Sequence, residues 1–261
     1  MRAVTANGIL IHYEDTGPGD APVMVLANSL GTDLRAWQPL MPHLPEIWRV
    51  IRYDKRGHGL SACPPRPWGM GDHVADLASL LDHLGIGHAV ICGLSVGGLI
   101  AQGLAAERPD LVRALILCDT AARIGTDEIW DGRIAAVEKG GMEAVADATM
   151  ERWFTKKTLR DDPERVAIWR NMVTRTPAEG YIGTMEAIRD CDLRESTPRL
   201  RVPCMGVGGI EDDATPPDLV RETVEMIPGG KFHLLRSAGH IPQAEAPEEL
   251  GRLISAFLAT L

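Results

Sequence analysis

The stretch His88-Ala89-Val90-Ile91-Cys92-Gly93-Leu94-Ser95-Val96-Gly97-Gly98-Leu99-Ile100-Ala101 decides the fold. A short apolar run leads into Gly-x-Ser-x-Gly, and an apolar helical pattern follows at once. A serine hydroxyl is a poor nucleophile unless the backbone presents it. A strand that turns sharply into a helix pushes Ser95 out at the top of a sheet. Gly93 and Gly97 stand where so tight a turn has no room for a Cβ. The helix N-terminus behind Ser95 offers unpaired N–H groups and a positive dipole end, which suit an oxyanion. With 27 glycines in 261 residues, composition yields roughly 0.07 chance matches to the motif, so the match together with its strand and helix flanks reads as a nucleophile elbow.

An elbow serine is followed in chain order by an acid and then a histidine. The apolar run Val202-Pro203-Cys204-Met205-Gly206-Val207 reads as a core strand, and Glu211, Asp212 and Asp213 lie on the loop beyond its end. That is where open α/β sheets place ligands and chemistry. Only one of these acids need reach a histidine, and Asp212, three residues after Gly209 and four before Pro216, and Asp213 are the candidates. A further strand, Lys231 to Leu235, leads to Ser237-Ala238-Gly239-His240-Ile241-Pro242. Of the eight histidines, His240 alone combines a C-terminal position, a post-strand loop and an adjacent glycine, so it is the expected base. His58, in Asp54-Lys55-Arg56-Gly57-His58-Gly59, reads instead as a structural hydrogen-bonding group in a Gly-rich turn. The oxyanion hole needs a second N–H besides that of Val96. The loop Asn28-Ser29-Leu30-Gly31-Thr32 follows the strand Val23 to Ala27, and the Leu30 backbone is the expected donor.

Short apolar strands alternate with helical patterns up to Cys118, which implies a mostly parallel sheet with helices on both faces. From 121 to 195 only helical patterns occur, and the strand–helix rhythm resumes at Val202. The expected organisation is therefore an α/β core over 1–120 and 196–261, interrupted by an all-helical cap over 121–195. Within the cap, Trp130 and Trp153 read either as pocket lining or as packing, and Trp169 as packing.

The net charge of −9 argues against a nucleic-acid partner, which would want a basic face. Apolar runs are broken well short of a membrane span, and the N-terminal stretch lacks an apolar signal core. A cytoplasmic protein acting on a small molecule, with no nucleic-acid or membrane partner, is expected. The five cysteines, Cys63, Cys92, Cys118, Cys191 and Cys204, are unclustered. They suggest neither disulfides nor a metal site, and no cofactor is expected.

The chain resembles an α/β-hydrolase along essentially its whole length, and within that superfamily it resembles the 3-oxoadipate enol-lactonases. The resemblance is carried by Asn28-Ser29-Leu30-Gly31-Thr32-Asp33-Leu34, which replaces the more common His-Gly, and by Tyr53-Asp54-Lys55-Arg56-Gly57-His58-Gly59-Leu60-Ser61. The elbow, Leu117-Cys118-Asp119-Thr120-Ala121-Ala122-Arg123-Ile124-Gly125, Ile129-Trp130-Asp131-Gly132-Arg133-Ile134 and Glu151-Arg152-Trp153-Phe154 match as well. It implies opening of a carboxylate-bearing enol-lactone by Ser95, Asp212 and His240, without metal or cofactor. It also implies that Arg133, with Trp130 and Trp153, meets the substrate. Arg123 and Arg152 are the alternative carboxylate ligands. An esterase, a C–C bond hydrolase or a cofactor-free perhydrolase would use the same triad with other pocket walls. A small-molecule receptor of the same fold is the alternative of a different class.

Overall fold

A computed structural model covering residues 1–261 turns the continuous apolar runs into the centre of an eight-stranded sheet. The strands are β1 (Arg2–Ala6), β2 (Ile9–Thr16), β3 (Val23–Ala27), β4 (Arg49–Tyr53), β5 (Ala89–Leu94), β6 (Val112–Cys118), β7 (Cys204–Gly209) and β8 (Lys231–Leu235). Their spatial order is β1-β2-β4-β3-β5-β6-β7-β8. β1 and β2 form an antiparallel edge and β2 pairs antiparallel with β4; every later pairing is parallel. Every residue of β3 and β5 is buried, as expected where helices cover both faces. The seventh strand starts two residues later than its apolar run suggests, because Val202 and Pro203 precede it and proline cannot donate to a ladder.

The chain steps outward from β3 to β4, then returns across β3 to place β5 on its other side. Such a reversal opens a crevice at the C-terminal strand ends. The loop after β3 and the turn after β5 face each other there. Two helices support this crevice from one side, α1 (Met70–His83) and α2 (Val96–Glu107). α1 buries Val74, Leu77, Ala78 and Leu81 at helical spacing. α2 is buried on all sides from Val96 to Ala105, because α1 covers the face turned away from the sheet.

Between β6 and β7 the chain forms five helices and no strand: α3 (Asp127–Gly140), α4 (Glu143–Trp153), α5 (Lys156–Asp161), α6 (Pro163–Thr174) and α7 (Ala178–Arg189). Thr126, Thr155 and Asp162 accept hydrogen bonds from first-turn N–H groups of α3, α5 and α6, which fixes where each begins. α3 packs on α4 and α7, and α4 on α6. The remaining helices are α8 (Pro217–Met226), α9 (Pro242–Glu245) and α10 (Pro247–Leu258), the last burying Leu250, Ile254 and Leu258. No helix is long and apolar enough to cross a membrane.

The helical insertion meets the core backbone to backbone. Gly57, at φ +71°, lies against Gly180 near the start of α7, where an added Cβ on Gly180 would sit 2.0 Å from the Gly57 carbonyl oxygen. Neither partner is a flexible side chain, so relief requires movement of the turn or the helix. Gly180→Ala should cost about 2–3 kcal/mol, read as a lowered urea midpoint. A variant as stable as the parent would show that this junction is not tight.

Candidate active site

The elbow is held in shape by backbone crowding. Ser95 has φ +56° and ψ −120°, a region non-glycine residues seldom occupy. Its N–H donates to the Cys118 carbonyl at 3.0 Å, and its carbonyl accepts from Gly98 N–H at 2.8 Å and Thr120 Oγ1 at 2.6 Å. An added Cβ on Gly93 would meet the Gly97 carbonyl oxygen at 2.2 Å, and one on Gly97 the Ala27 carbonyl oxygen at 2.1 Å. The Ser95 side chain caps nothing in α2, so its hydroxyl remains available to the crevice.

His240 and Asp212 come together on loops after β8 and β7. His240 Nδ1 donates to Asp212 Oδ2 at 2.9 Å, both side chains being essentially buried. The other oxygen, Oδ1, accepts from the N–H groups of Ala214 at 2.7 Å and Thr215 at 3.0 Å; Thr215 Oγ1 donates to Oδ2 at 2.7 Å. Burial by itself raises the carboxyl pKa, but the adjacent His240 and the Thr215 hydrogen bonds outweigh it and bring the group below the ordinary carboxylate range. Asp213 is exposed, so of the two neighbouring acids only Asp212 reaches the histidine. With Nδ1 committed, Nε2 is the nitrogen left for the cavity it shares with Ser95.

The histidine loop is tied to the helical insertion. Its N–H donates to the Trp153 carbonyl at 2.8 Å, and the Trp153 ring stacks on the imidazole at 6.2 Å. Glu245 joins the same two parts: Oε2 accepts from Gly239 N–H at 2.8 Å while Oε1 accepts from Thr155 N–H at 3.0 Å and Oγ1 at 2.8 Å. No motif in the sequence marks Glu245, because Thr155, the partner it ties to the histidine loop, lies ninety residues away in the chain.

Asp119 is a second residue the sequence does not reveal. It follows β6 at φ +44°, is fully buried, and Oδ1 accepts from Gly209 N–H at 2.7 Å while Oδ2 has no hydrogen-bond partner. Burial first, and the nearby Asp212 charge second, push its carboxyl well above the usual range, so it is neutral where Asp212 is ionised.

On the opposite wall, the loop after β3 carries Leu30. Asn28 holds the loop's start, donating to the Tyr53 carbonyl at 3.0 Å and accepting from Trp37 Nε1 at 2.8 Å. Gly31 N–H donates to His58 Nε2 at 3.0 Å. Burial and the Lys55 charge keep that ring neutral, as an acceptor nitrogen requires. The Leu30 N–H has no acceptor within the protein. Val96 N–H stands at the first position of α2, where the helix provides no acceptor.

Leu30, Ser95 and His240 line one narrow cavity. Its roof comes from the insertion: Trp130, Arg133, Arg152, Trp153 and Tyr181. Trp130 Nε1 donates to the Ile124 carbonyl at 2.6 Å, and the Arg133 guanidinium lies over the Trp130 ring at 4.8 Å. Trp153 meets Trp169 edge-on at 6.3 Å, placing Trp169 in packing. Arg133 and Arg152 are half-buried, and neither has an acid partner. Burial depresses both guanidinium pKa values, and the charge of Arg152 adds to the effect on Arg133. Arg123 does not reach the cavity: it pairs on the surface with Asp127 at 3.0 Å and Asp192 at 3.4 Å. That removes one of the two alternatives to Arg133, because those surface acids already hold it. No three His, Cys, Asp or Glu side chains cluster as metal ligands do.

This fold and crevice define an α/β-hydrolase. Residues 22–247 match the α/β-hydrolase fold family, and the chain belongs to it. It is 33% identical to 3-oxoadipate enol-lactonase 2 of Acinetobacter baylyi over 98% of this chain and 95% of that protein. The enol-lactonase of Burkholderia xenovorans LB400 superposes with a TM-score of 0.96 at 39% identity, covering 99% of this chain and all (100%) of that one. A thermophilic esterase from Thermogutta terrifontis with malate bound superposes with a TM-score of 0.91 at 30% identity, over 99% and 98% of the two chains.

The two buried acids should respond differently to amide substitution. Asp212→Asn should lower kcat about 10³–10⁴-fold, because the imidazole loses its partner and its tautomer. Asp119→Asn, replacing an already neutral group of the same shape, should change kcat less than about threefold. The lowered Asp212 pKa also contributes stability above the unfolded carboxylate value near pH 4, roughly, and that contribution disappears as pH falls through the folded value. Urea midpoints of the parent and Asp212→Asn should therefore differ at pH 7 and converge in strong acid.

Proposed function

We propose that the protein is a serine hydrolase that opens a small enol-lactone carrying a carboxylate, of the 3-oxoadipate enol-lactone type. The observation that carries this reading is the arginine pair. Two half-buried guanidinium groups without acid partners share one enclosed cavity with Ser95 and His240. Two like charges, each partly withdrawn from water and repelling one another, are costly unless a ligand brings the missing anion. Relatives named as enol-lactonases, and one esterase crystallised with malate, support a carboxylate-bearing substrate.

In this reading Ser95 Oγ attacks the lactone carbonyl while His240 Nε2 takes its proton, and Asp212 steadies the imidazolium. The N–H groups of Leu30 and Val96 receive the oxyanion, the largest electrostatic contribution in such reactions. Collapse breaks the ring C–O bond and expels an enolate, a better leaving group than an alkoxide. The enolate takes a proton from His240 and settles as the ketone. Water then attacks the acyl-enzyme with His240 as base, releasing Ser95 and the second carboxylate. Arg133, anchored over Trp130, holds the substrate carboxylate with Arg152 beside it. Trp153 walls the site against the His240 ring.

Steady-state turnover of 3-oxoadipate enol-lactone beside p-nitrophenyl acetate tests the assignment. The lactone should be preferred by at least about a hundredfold in kcat/KM, and Ser95→Ala should abolish both reactions. Good ester cleavage with feeble lactone turnover would reject the lactone as substrate. Arg133→Met should raise KM for the lactone at least about tenfold while leaving the neutral ester unaffected; equal losses on both would remove Arg133 from carboxylate binding.

A further inference from the structure

Lys55 is the one lysine the fold encloses completely, with 2% of its surface exposed. It stands two residues past β4, and its Nζ donates to the Ser29 carbonyl at 2.5 Å and to the Thr32 carbonyl at 3.2 Å. No carboxylate lies within ion-pair distance of it. Asp54 on its own loop and Asp33 on the loop after β3 attract it from farther off; His58 of the Gly-rich turn and His73 of α1 face it as neutral rings. A buried ammonium held by two carbonyls is an expensive way to fill space, since a methionine would pack there without desolvating a charge.

We propose that Lys55 is the positioning residue of the oxyanion hole, aiming and strengthening the Leu30 N–H. The inference rests on the reading of Leu30 as an oxyanion donor. The Ser29 carbonyl and the Leu30 N–H are opposite ends of one peptide group. In a planar trans peptide the two point in opposite directions, so a clamp on the carbonyl sets the direction of the N–H. Lys55 shares the Ser29 carbonyl with Thr32, whose Oγ1 donates at 2.9 Å and N–H at 3.4 Å, while Lys55 also holds the Thr32 carbonyl and His58 accepts from Gly31 N–H. Ser29 and Leu30 line the same cavity as Ser95. A cation on the carbonyl oxygen also polarises the amide, making its N–H a stronger donor to a developing negative charge. Burial pushes the Lys55 amine down to about 7, so the cation that polarises the Ser29 carbonyl predominates only below that pH.

The test uses p-nitrophenyl acetate and phenylboronic acid, so it does not depend on the identity of the lactone. The boronate forms a tetrahedral adduct on a serine and places an oxygen where the oxyanion sits. Lys55→Met should lower kcat about tenfold to a hundredfold with KM within about threefold, and weaken boronate inhibition by the same factor as kcat. Lys55→Gln, which restores an uncharged donor, should fall between the parent and Lys55→Met. Melting temperature should stay near the parent's in both. If Lys55→Met keeps its kcat and boronate affinity, or if Lys55→Gln equals the parent, the proposal is overturned. A loss of kcat accompanied by an equal rise in KM and a collapsed melting transition in both variants would assign Lys55 to folding instead. Ser95→Ala, run in parallel, separates the two readings: activity surviving there would overturn the serine mechanism itself.

Discussion

Contact between bare backbones at the top of the central strands sets everything else in the site. The Gly97 Cα lies so near the Ala27 carbonyl, and the Gly93 Cα so near that of Gly97, that any side chain there would overlap an oxygen. This closeness lets β5 bend into α2 within one residue, at a Ser95 conformation costing about 1–3 kcal/mol. The strain is held by the Cys118 carbonyl, Thr120 and Gly98, which secure both the N–H and the carbonyl of Ser95. Because β3 and β5 are adjacent and parallel, the same contact brings the loop carrying Leu30 over the start of α2. Ser95 and the proposed oxyanion donors are thus placed by one packing constraint.

Around that fixed centre the polar groups are arranged by opposite use of burial. Asp212 is buried and surrounded by donors, so it stays charged; Asp119 is buried with one donor and a neighbouring anion, so it stays neutral. The arginine pair is half-buried without a counter-ion, and Lys55 fully buried against carbonyls alone. The unpaired arginines face the cavity and Lys55 the loop that lines it, while surface arginines such as Arg108, Arg170 and Arg189 have acid partners. Strain and uncompensated charge concentrate at functional sites, where some other interaction offsets them.

The fold was legible because its strongest signals are local. Strands β3, β4, β6 and β8 coincide with apolar runs visible in the chain, and Gly-x-Ser-x-Gly announces both its strand and its helix. Chain order was enough to select Ser95 and His240 for attention. Whether Asp212 or Asp213 faces the histidine was not legible, since adjacent residues on a turn point in directions set by the turn; the Asp212 hydrogen bonds to Ala214 and Thr215 decide it. The antiparallel edge and the roles of Glu245, Asp119 and Lys55 were hidden for a different reason. β2 finds β4 and Glu245 finds Thr155 only through the fold, although β1 and β2 form a local hairpin over Asn7-Gly8; a single buried lysine looks like any other lysine in a string of letters. Arg152 and Arg123 looked equivalent for the same reason, until surface acids were found holding one of them.

The narrow cavity beneath the insertion bears on how tightly a substrate would be held. If the proposed lactone needs more room than this cavity gives, it binds only to a conformation in which the helices over Ser95 have drawn back. The apparent dissociation constant is then the intrinsic one divided by the fraction of molecules open at any moment. Every contact that fastens roof to floor, such as Glu245 bridging Thr155 to Gly239 or Gly180 seated on Gly57, belongs to that equilibrium. Tightening the insertion to gain heat resistance would therefore weaken substrate binding in proportion, about tenfold for each 1.4 kcal/mol added to closure. Thermal robustness and substrate affinity would then draw on the same contacts.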